Sequence, residues 1–163
     1  MIYLVQHGET DDSDPARPLS AKGKEEAERV AKALGTVGLR AKTIMHSGKL
    51  RARQTAEIFS ASFGQSAVME MPGLAPNDEP GIAKAFIEKA EEPLMLVGHM
   101  PHLSKLASLL VTGKQDQEII RFRMGGVVCL SRDNGWKILW ALTPEITPFR
   151  VEKLFPRSKK DSL

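Results

Sequence analysis

Two histidines and one arginine are the side chains of this sequence whose types and positions suggest chemistry. His7 and His99 each lie next to a glycine, Gly8 and Gly98, and Arg51 lies between them in the chain. An arginine guanidinium binds a phosphate group through two parallel hydrogen bonds, and helix N-termini add further donors for anions. Glycine allows the backbone to approach a ligand closely. Brought together, these groups predict an anion-binding site.

Each of the three side chains follows a short apolar segment that predicts a buried strand. The segments are residues 1–5 before His7, residues 43–46 before Arg51 and residues 94–97 before His99. In open α/β sheets, ligands bind beyond the carboxyl ends of parallel strands, at the loops that lead into helices. We therefore expect the three side chains to meet at one edge of a sheet.

Helical patterns alternate with these strands. They predict helices after Ser20, a plausible N-cap, over residues 49–63 and 81–90, and through Leu103 to Leu110. In the third helix the pattern places Ile82, Phe86 and Ala90 on one side. Residues 67–71 predict another strand, and residues 127–131 and 136–142 predict a hairpin around an Asp-Asn-Gly turn. The order predicts an α/β fold, a three-layer α/β/α sandwich with a mostly parallel central sheet.

Length and composition are those of one globular domain. The chain has 163 residues, of which 42% are hydrophobic and 26% charged. We assign residues 1–155 to a single domain and residues 156–163 to a polar, basic and flexible tail. No apolar run approaches the roughly 20 residues that span a bilayer. Because Cys129 is the only cysteine, an internal disulfide is excluded, and we expect a cytoplasmic protein.

The charge balance is mildly basic. Lys and Arg number 23 against 20 Asp and Glu, a net charge of +3. The basic residues are mostly interleaved with acidic ones, which is typical of a solvated surface. We therefore predict neither a nucleic-acid nor a membrane partner.

Four ordered segments resemble the motifs of the histidine phosphatase superfamily, the phosphoglycerate mutase-like family. Residues 4–10 (LVQHGET) resemble its Arg-His-Gly signature, and residues 97–101 (VGHMP) resemble its Gly/Ser-His-x-Pro segment. Residues 14–23 are similar to its Arg-Pro-Leu-Ser/Thr-x-x-Gly segment and residues 46–56 to its Ser-Pro-x-x-Arg-Ala-x-Gln-Thr segment. The resemblance implies a phosphoglycerate mutase-like fold. The short chain further resembles the SixA-like branch, the protein-phosphohistidine phosphatases.

The resemblance implies a role for each matching residue. His7 would attack phosphorus and become phosphohistidine, while a nearby backbone carbonyl holds its other ring nitrogen. Arg51 and His99 would contact the phosphoryl oxygens. Gln6, Gly8 and Arg17 are further candidates for phosphate or substrate binding. No metal and no cofactor are implied, because positively charged side chains supply the required charge.

Position 6 departs from the family pattern, because Gln6 stands where the family has an arginine. Glutamine donates hydrogen bonds but has neither the charge nor the fork geometry of arginine. Loss of a catalytic donor costs about 3–4 kcal/mol in other enzymes, so we expect slower phosphoryl transfer than in a relative with arginine. Replacing Gln6 with Arg tests this expectation.

The chemistry of the leaving group helps to identify the substrate class. Phosphatases that cleave alkyl esters use a carboxylic acid to protonate the departing oxygen. Gly73 lies near the position where relatives have such an acid. Asp78 and Glu79 are candidate substitutes, but positions in a solvated loop and at a helix cap explain these two residues better than an acid role does. The P–N bond of phosphohistidine breaks more readily, which favours that substrate.

We therefore predict a metal-independent phosphatase acting on phosphohistidine in proteins, with a phosphorylated protein such as a histidine phosphotransfer domain as its partner. A phosphatase for a small phosphorylated metabolite is one alternative. A pseudo-enzyme that only binds phospho-ligands is another, motivated by Gln6. A mutase is a weaker hypothesis because the chain is short. His46 is expected beneath the site and His102 at its rim.

Overall fold

A six-stranded mixed sheet with two helices on each face forms the protein in a computed structural model, which describes residues 1–147. The strands are β1 (Ile2–Gln6), β2 (Thr43–His46), β3 (Ala67–Glu70), β4 (Leu94–Gly98), β5 (Val127–Arg132) and β6 (Trp136–Leu142). The helices are α1 (Ala21–Thr36), α2 (Leu50–Ser62), α3 (Pro80–Lys89) and α4 (His102–Thr112), followed by one 3₁₀ turn (Pro144–Ile146). The predicted α/β sandwich is confirmed.

Strand order places the reactive loops side by side. The order is β3-β2-β4-β1-β5-β6, and β1 to β4 run parallel to their neighbours within that group. In the register of the pairs, Gln6 lies opposite Gly98 and His46 lies opposite Val97. The ends of β1, β2 and β4 therefore lie level at one edge of the sheet. The hairpin of β5 and β6 closes the β1 side, with β5 antiparallel to β1.

Each face of the sheet buries its own apolar cluster. Helices α1 and α2 cover the face that bears Tyr3, Val5 and Ile44, while α3 and α4 cover the face that bears Leu4 and Leu96. Strands β1 and β4 are buried along their whole length. Central parallel strands with both faces covered are typically continuous apolar runs, and residues 1–5 and 94–97 have that pattern. The active-site loops are thus anchored in the most buried part of the fold.

Helix α1 begins at a side-chain cap. The hydroxyl of Ser20 accepts a hydrogen bond from the backbone N–H of Gly23 at 2.9 Å, as predicted for an N-cap. Such a cap contributes about 1 kcal/mol. A Cβ on Gly23 would overlap the backbone of Glu9. The cap and the glycine together hold the start of α1 against the loop that follows β1.

The buried face of α3 differs from the prediction. Its buried residues are Pro80, Ala83 and Ile87, whereas Ile82 and Phe86 are 54% and 40% exposed. Two stripes of apolar residues run along this short helix, and helical spacing alone cannot distinguish them. The small side chain of Ala83 is fully buried where α3 packs on the core, so the sheet selects that stripe.

The other predicted elements are confirmed to within one or two residues. The hairpin turns at Asn134 and Gly135, both with positive φ. The predicted end of the domain at residue 155 and the tail at 156–163 lie outside the described residues. Over residues 1–147, no helix has the length and apolar character needed to cross a membrane.

Candidate active site

His7, Arg51 and His99 converge at the common edge of β1, β2 and β4, as the strand order predicted. The Nε of Arg51 donates a hydrogen bond to the Nε2 of His7 at 3.3 Å. The ring centroids of His7 and His99 are 4.9 Å apart. Both imidazoles are almost fully buried, at 7% and 2% exposed. Residues far apart in sequence thus form one compact cluster of a guanidinium and two imidazoles.

The tautomer of His7 follows from its neighbours. Its Nδ1 lies 2.7 Å from the carbonyl oxygen of Gly8, and a carbonyl can only accept a hydrogen bond. Nδ1 therefore bears the proton, and Nε2 presents its lone pair toward Arg51. The expected backbone-carbonyl partner of the second nitrogen is confirmed. This tautomer leaves a lone pair on Nε2, and that lone pair accepts the hydrogen bond from Arg51.

His7 is also held neutral. Burial lowers its pKa below the ordinary value of 6.5, and the positive charges of Arg51 and Arg17 lower it further, against the opposing effect of the Gly8 carbonyl. A neutral ring keeps the Nε2 lone pair available at neutral pH. The cationic surroundings therefore favour an anion and keep the His7 imidazole unprotonated.

Ser47 positions the second histidine. Its hydroxyl lies 2.5 Å from the Nε2 of His99, while the Nδ1 of His99 has no hydrogen-bond partner among the described residues. Burial, followed by the positive charges around it, lowers the pKa of His99 to about 3. His99 is therefore a neutral imidazole held by a serine at the end of β2. The motif around Arg51 contained this serine, but its partner could not be predicted from the sequence.

Thr55 connects the His7 loop to α2. Its hydroxyl accepts a hydrogen bond from the backbone N–H of Gly8 at 3.1 Å and donates one to the carbonyl of Arg51 at 2.7 Å. A Cβ on Gly8 would lie 2.9 Å from the carbonyl oxygen of Gly23. Gly8 therefore serves close packing within the protein, and its N–H is already bonded. Its binding of phosphate stays a prediction.

Arg17 lies near the cluster in the loop between β1 and α1. It has a positive φ of 48°, and its guanidinium donates hydrogen bonds to the Asp12 carboxylate at 2.9 Å and to the Thr10 hydroxyl at 3.2 Å. Its side chain is 47% exposed. Its charge lowers the pKa values of both His7 and Arg51. Arg17 therefore contributes positive potential to the site, while direct contact with substrate stays a prediction.

Gln6 lies next to His7 in the chain but makes no side-chain hydrogen bond to Arg51 or His99. Gln6 is the last residue of β1, and its side chain is 8% exposed. It lines a separate cavity together with Glu9 and Arg123. Its role as a phosphate contact stays a prediction.

The candidate acids of the loop after β3 are not hydrogen-bonded to the cluster. The Asp78 carboxylate accepts a hydrogen bond from the backbone N–H of Ala75 at 2.9 Å and so closes a turn. Glu79 occupies the N-cap position of α3 without a capping hydrogen bond. Gly73 has a φ of 92° and lies against Ile82, so this position suits a glycine. No geometric support for an acid role emerges for either carboxylate.

The two other histidines are structural neighbours of the site. His46 accepts a hydrogen bond at Nδ1 from the backbone N–H of Gly48, beneath the Ser47 turn. His102 is fully buried, so its expected position at the rim is wrong. It begins α4, and the core on that face closes over it. Over the described part of the chain, no three His, Cys, Asp or Glu side chains form a group that could hold a metal ion.

The arrangement as a whole is suited to an anion with a reactive centre. Arg51, Arg17 and Lys49 surround two neutral imidazoles with positive charge. His7 presents a lone pair to the space where Arg51 would bind an oxyanion. A tetrahedral phosphoryl group placed there would meet a nucleophile on one side and cationic donors on another.

Comparison with known proteins also points to the histidine phosphatase superfamily. Residues 2–76 match the family model of the histidine phosphatase superfamily (branch 1). An uncharacterised protein of Picosynechococcus sp. is 33% identical over 138 residues, which cover 79% of this chain and 83% of that protein.

Solved structures share this fold over most of the chain. The structure of the protein histidine phosphatase SixA complexed with tungstate matches with a TM-score of 0.77 and 21% identity, covering 88% of this chain and 96% of that chain. The α-ribazole phosphatase of Shigella flexneri matches with a TM-score of 0.68 and 18% identity, covering 85% and 95%. The fold is thus the one that SixA has, and proteins named for different substrates share it.

Proposed function

Because the chain belongs to the histidine phosphatase superfamily, we propose that it removes phosphate from phosphohistidine in proteins through a covalent intermediate on His7. Membership of the superfamily supports phosphatase activity in general. One observation supports the covalent route most directly: the Nδ1 of His7 is bonded to the Gly8 carbonyl, so Nε2 presents a lone pair beside Arg51. The SixA-like fold supports the choice of substrate.

In the first step the Nε2 lone pair of His7 attacks phosphorus. The new P–N bond forms as the P–N bond of the substrate breaks, and the electron pair of the broken bond stays on the departing nitrogen. Arg51 moves its hydrogen bond from the Nε2 of His7 to a phosphoryl oxygen, and the Nε2–H of His99 exchanges the Ser47 hydroxyl for a second phosphoryl oxygen. Preorganised donors of this kind stabilise the charge that develops on the equatorial oxygens.

In the second step a water oxygen attacks phosphorus and the bond to His7 breaks. The electron pair returns to Nε2, and the proton of the water passes to the released phosphate. Throughout, Nδ1 keeps its proton in the hydrogen bond to the Gly8 carbonyl. The phosphorylated ring is therefore protonated and is a good leaving group, which favours hydrolysis of the intermediate.

Over residues 1–147, no carboxylate is hydrogen-bonded to His7, Arg51 or His99, which favours a P–N substrate over an alkyl ester. Asp12 is the carboxylate whose charge acts on Arg51, and hydrogen bonds from Thr10 and Arg17 hold the pKa of Asp12 below its usual range. An ionised carboxylate cannot protonate a leaving oxygen. A phosphohistidine whose distal ring nitrogen is protonated instead departs as neutral imidazole, without help from a protein acid.

A small phosphorylated metabolite is the alternative substrate. The α-ribazole phosphatase of Shigella flexneri shares the fold, so the fold by itself permits both classes. Under the first proposal the partner is a phosphorylated protein, such as a histidine phosphotransfer domain. No metal ion and no cofactor take part in the steps above, because Arg51, Arg17 and Lys49 supply the positive charge.

The test is phosphate release from a phosphohistidine-bearing protein, compared between the wild-type chain and His7→Ala. We expect release to fall by more than about 10⁴-fold, as for removal of the nucleophile in other covalent enzymes. When the substrate carries radiolabelled phosphate and the reaction is stopped early without acid, the label should remain on the wild-type chain and be absent from His7→Ala. A small phosphomonoester is assayed in parallel to decide between the two substrate classes.

Three results would change the proposal. Faster turnover of the phosphomonoester would favour the metabolite alternative. Phosphate release that survives in His7→Ala would exclude the covalent route. Binding of phosphohistidine peptide without release, by a chain that folds normally, would indicate a pseudo-enzyme and make Gln6 the first residue to replace with Arg.

A further inference from the structure

A second cavity opens beside the phosphoryl site, at the end of β1. Its volume is about 310 Å³, and its polar lining consists of Gln6, Glu9, Lys22, Glu26, Arg123 and Glu145. The apolar side chains of Phe122 and Met124 complete the wall. Apart from Gln6, none of these polar residues has a role in the phosphoryl transfer described above. We call this space the flanking cavity.

Gln6 is an unpartnered polar group in the wall of this cavity. Its side chain is only 8% exposed, yet its amide makes no hydrogen bond to any residue in the part of the chain that the structure describes. Because Gln6 lines the cavity, its amide is open to that space rather than sealed in the core. An amide also offers both a donor and an acceptor, which is the pattern that a peptide group matches. The open hydrogen-bonding capacity of Gln6 therefore points to a ligand that brings its own peptide groups.

The flanking cavity is joined to the nucleophile by backbone contacts. Adjacent Cα atoms lie about 3.8 Å apart, so Gln6 is one residue step from His7. The backbone N–H of Gly125 donates to the carbonyl of Gln6 at 2.9 Å and to that of His7 at 3.2 Å. This contact fixes the loop that bears Arg123 against the end of β1. A chain whose phosphorylated side chain reaches His7 would therefore bring its neighbouring residues to the cavity.

The charge of the flanking cavity is opposite to that of the phosphoryl site. Three carboxylates line it against two cations, and the cations are already engaged. Lys22 pairs with Glu9 at 2.9 Å, and Arg123 donates twice to one oxygen of Glu145, at 2.9 and 2.6 Å. Glu26 has only an ion pair with Lys22 at 4.0 Å, and its side chain is 22% exposed. Glu26 is therefore the carboxylate with the most capacity for an additional cation.

From this geometry we propose that the flanking cavity binds the polypeptide segment next to the phosphorylated residue of a protein substrate. Gln6 pairs with a peptide group of that segment, and Glu26 binds a basic side chain. The inference rests on the proposed function and deepens it, because it assigns the substrate a basic segment beside its phosphohistidine. If the cations of the phosphoryl site dominated recognition instead, the chain would prefer acidic residues beside the phosphohistidine.

The experiment compares two synthetic peptides with a central phosphohistidine, one flanked on both sides by lysines and one flanked by glutamates. Free phosphohistidine serves as the reference substrate. We expect the wild-type chain to have a kcat/KM about five- to tenfold higher for the lysine peptide, the size that one or two partly exposed ion pairs give. Most of the difference should appear in KM, since the flanks are remote from the reacting bond.

Two variants of α1 provide a matched comparison. Glu26→Gln should reduce the preference for the lysine peptide to within about twofold, whereas Glu28→Gln, with the same charge change on an exposed part of the same helix, should keep it. Gln6→Leu should lower kcat/KM for both peptides relative to free phosphohistidine by about fivefold, the effect of one lost hydrogen bond. Equal effects of the two glutamate variants, or a preference for the glutamate peptide, would overturn the inference.

The experiment also distinguishes failure of the proposed function from failure of this inference. If free phosphohistidine and both peptides are left intact, the chain is not a phosphohistidine phosphatase. The inference is then decided by fluorescence anisotropy with unphosphorylated versions of the two peptides. Tighter binding of the lysine peptide by the wild-type chain than by Glu26→Gln would sustain the flanking cavity as a peptide site, and equal binding would refute it.

Discussion

The phosphoryl site and the flanking cavity lie on either side of the end of β1, and they differ in charge and construction. The phosphoryl site is formed by the loops after β1, β2 and β4, and cations surround its two neutral imidazoles. The flanking cavity is formed by the start of α1 and the loop before β5, and carboxylates outnumber cations there. Adjacent residues, Gln6 and His7, thus line two different regions.

Under the two proposals above, the end of β1 divides substrate recognition into two tasks. An anion is drawn to the positive side, where the nucleophile is kept neutral by burial and by the cations around it. The opposite side has an unpaired amide and a weakly paired carboxylate, which suit a peptide with a basic side chain. A substrate that combines a phosphoryl group with a neighbouring cation would use both sides at once.

Replacing Arg51 with Ala should produce the largest effect, because the guanidinium lies beside the nucleophilic nitrogen. We expect kcat to fall by about 10²–10³-fold, equally for free phosphohistidine and for both peptides. Steady-state phosphate release measures this loss. Arg53→Ala is the control, since Arg53 lies on the same helix and pairs with Glu57 at the surface. A change in the ratio between peptides would mean that Arg51 also serves the flanking cavity.

Gly23→Ala should disturb both regions together. A Cβ at this position overlaps the backbone of Glu9, which leads from His7 to the wall of the cavity. We expect a loss of about 1–3 kcal/mol in the free energy of unfolding, together with reduced turnover of every substrate. Urea denaturation measures the first effect. Gly81→Ala is the control, because a Cβ there meets no atom within 4 Å. If the stability of Gly23→Ala is unchanged, the loop that contains Glu9 moves to accommodate the Cβ at little cost in free energy.

Ser47→Ala should affect the phosphoryl site alone. The substitution removes the hydroxyl that holds the Nε2 of His99. We expect kcat to fall about tenfold, the equivalent of one hydrogen bond of about 1.4 kcal/mol, and the ratio between the lysine and glutamate peptides to stay the same. Ser47→Thr keeps the hydroxyl and should recover part of the rate. If the threonine variant is as slow as the alanine variant, the hydrogen bond is not the cause.

The smallest expected effect concerns the titration of His7. Its pKa lies below 6.5 because burial and the cations Arg51 and Arg17 disfavour the protonated ring. Removing a cation favours protonation, so Arg17→Ala should raise the pKa of His7, by a few tenths of a unit for an exposed charge. NMR titration of the imidazole resonances measures the shift. Arg53→Ala should leave it unchanged, and a downward shift in Arg17→Ala would contradict the electrostatic explanation.

Much of the phosphoryl site was predictable from the sequence. His7, Arg51 and His99 each follow an apolar run, and parallel strands bring their carboxyl ends to one edge. The cap at Ser20 and the hairpin at Asn134 were also predictable, because both depend on local backbone chemistry. The resemblance of four ordered motifs to one superfamily then supplied a chemical role for each residue.

Other features depended on contacts between distant segments. Ser47 meets His99 across 52 positions of sequence, and Thr55 meets Gly8 across 47. Helical spacing in α3 fitted two stripes, and packing on the core selected the one with Ala83. His102 was expected at the rim because it follows His99 closely, but the first turn of α4 directs it into the core.

The sequence by itself determined the order of the elements and the identity of the reactive residues, because apolar periodicity, caps and turn residues act over a few positions. Tertiary structure decided which distant groups face one another: Arg51 beside the Nε2 of His7, the serine that holds His99, and the residues that line the flanking cavity with Gln6. Burial lowers the pKa of an imidazole only once the layers have packed. The packing of α1 and the loop before β5 encloses the flanking cavity around Gln6.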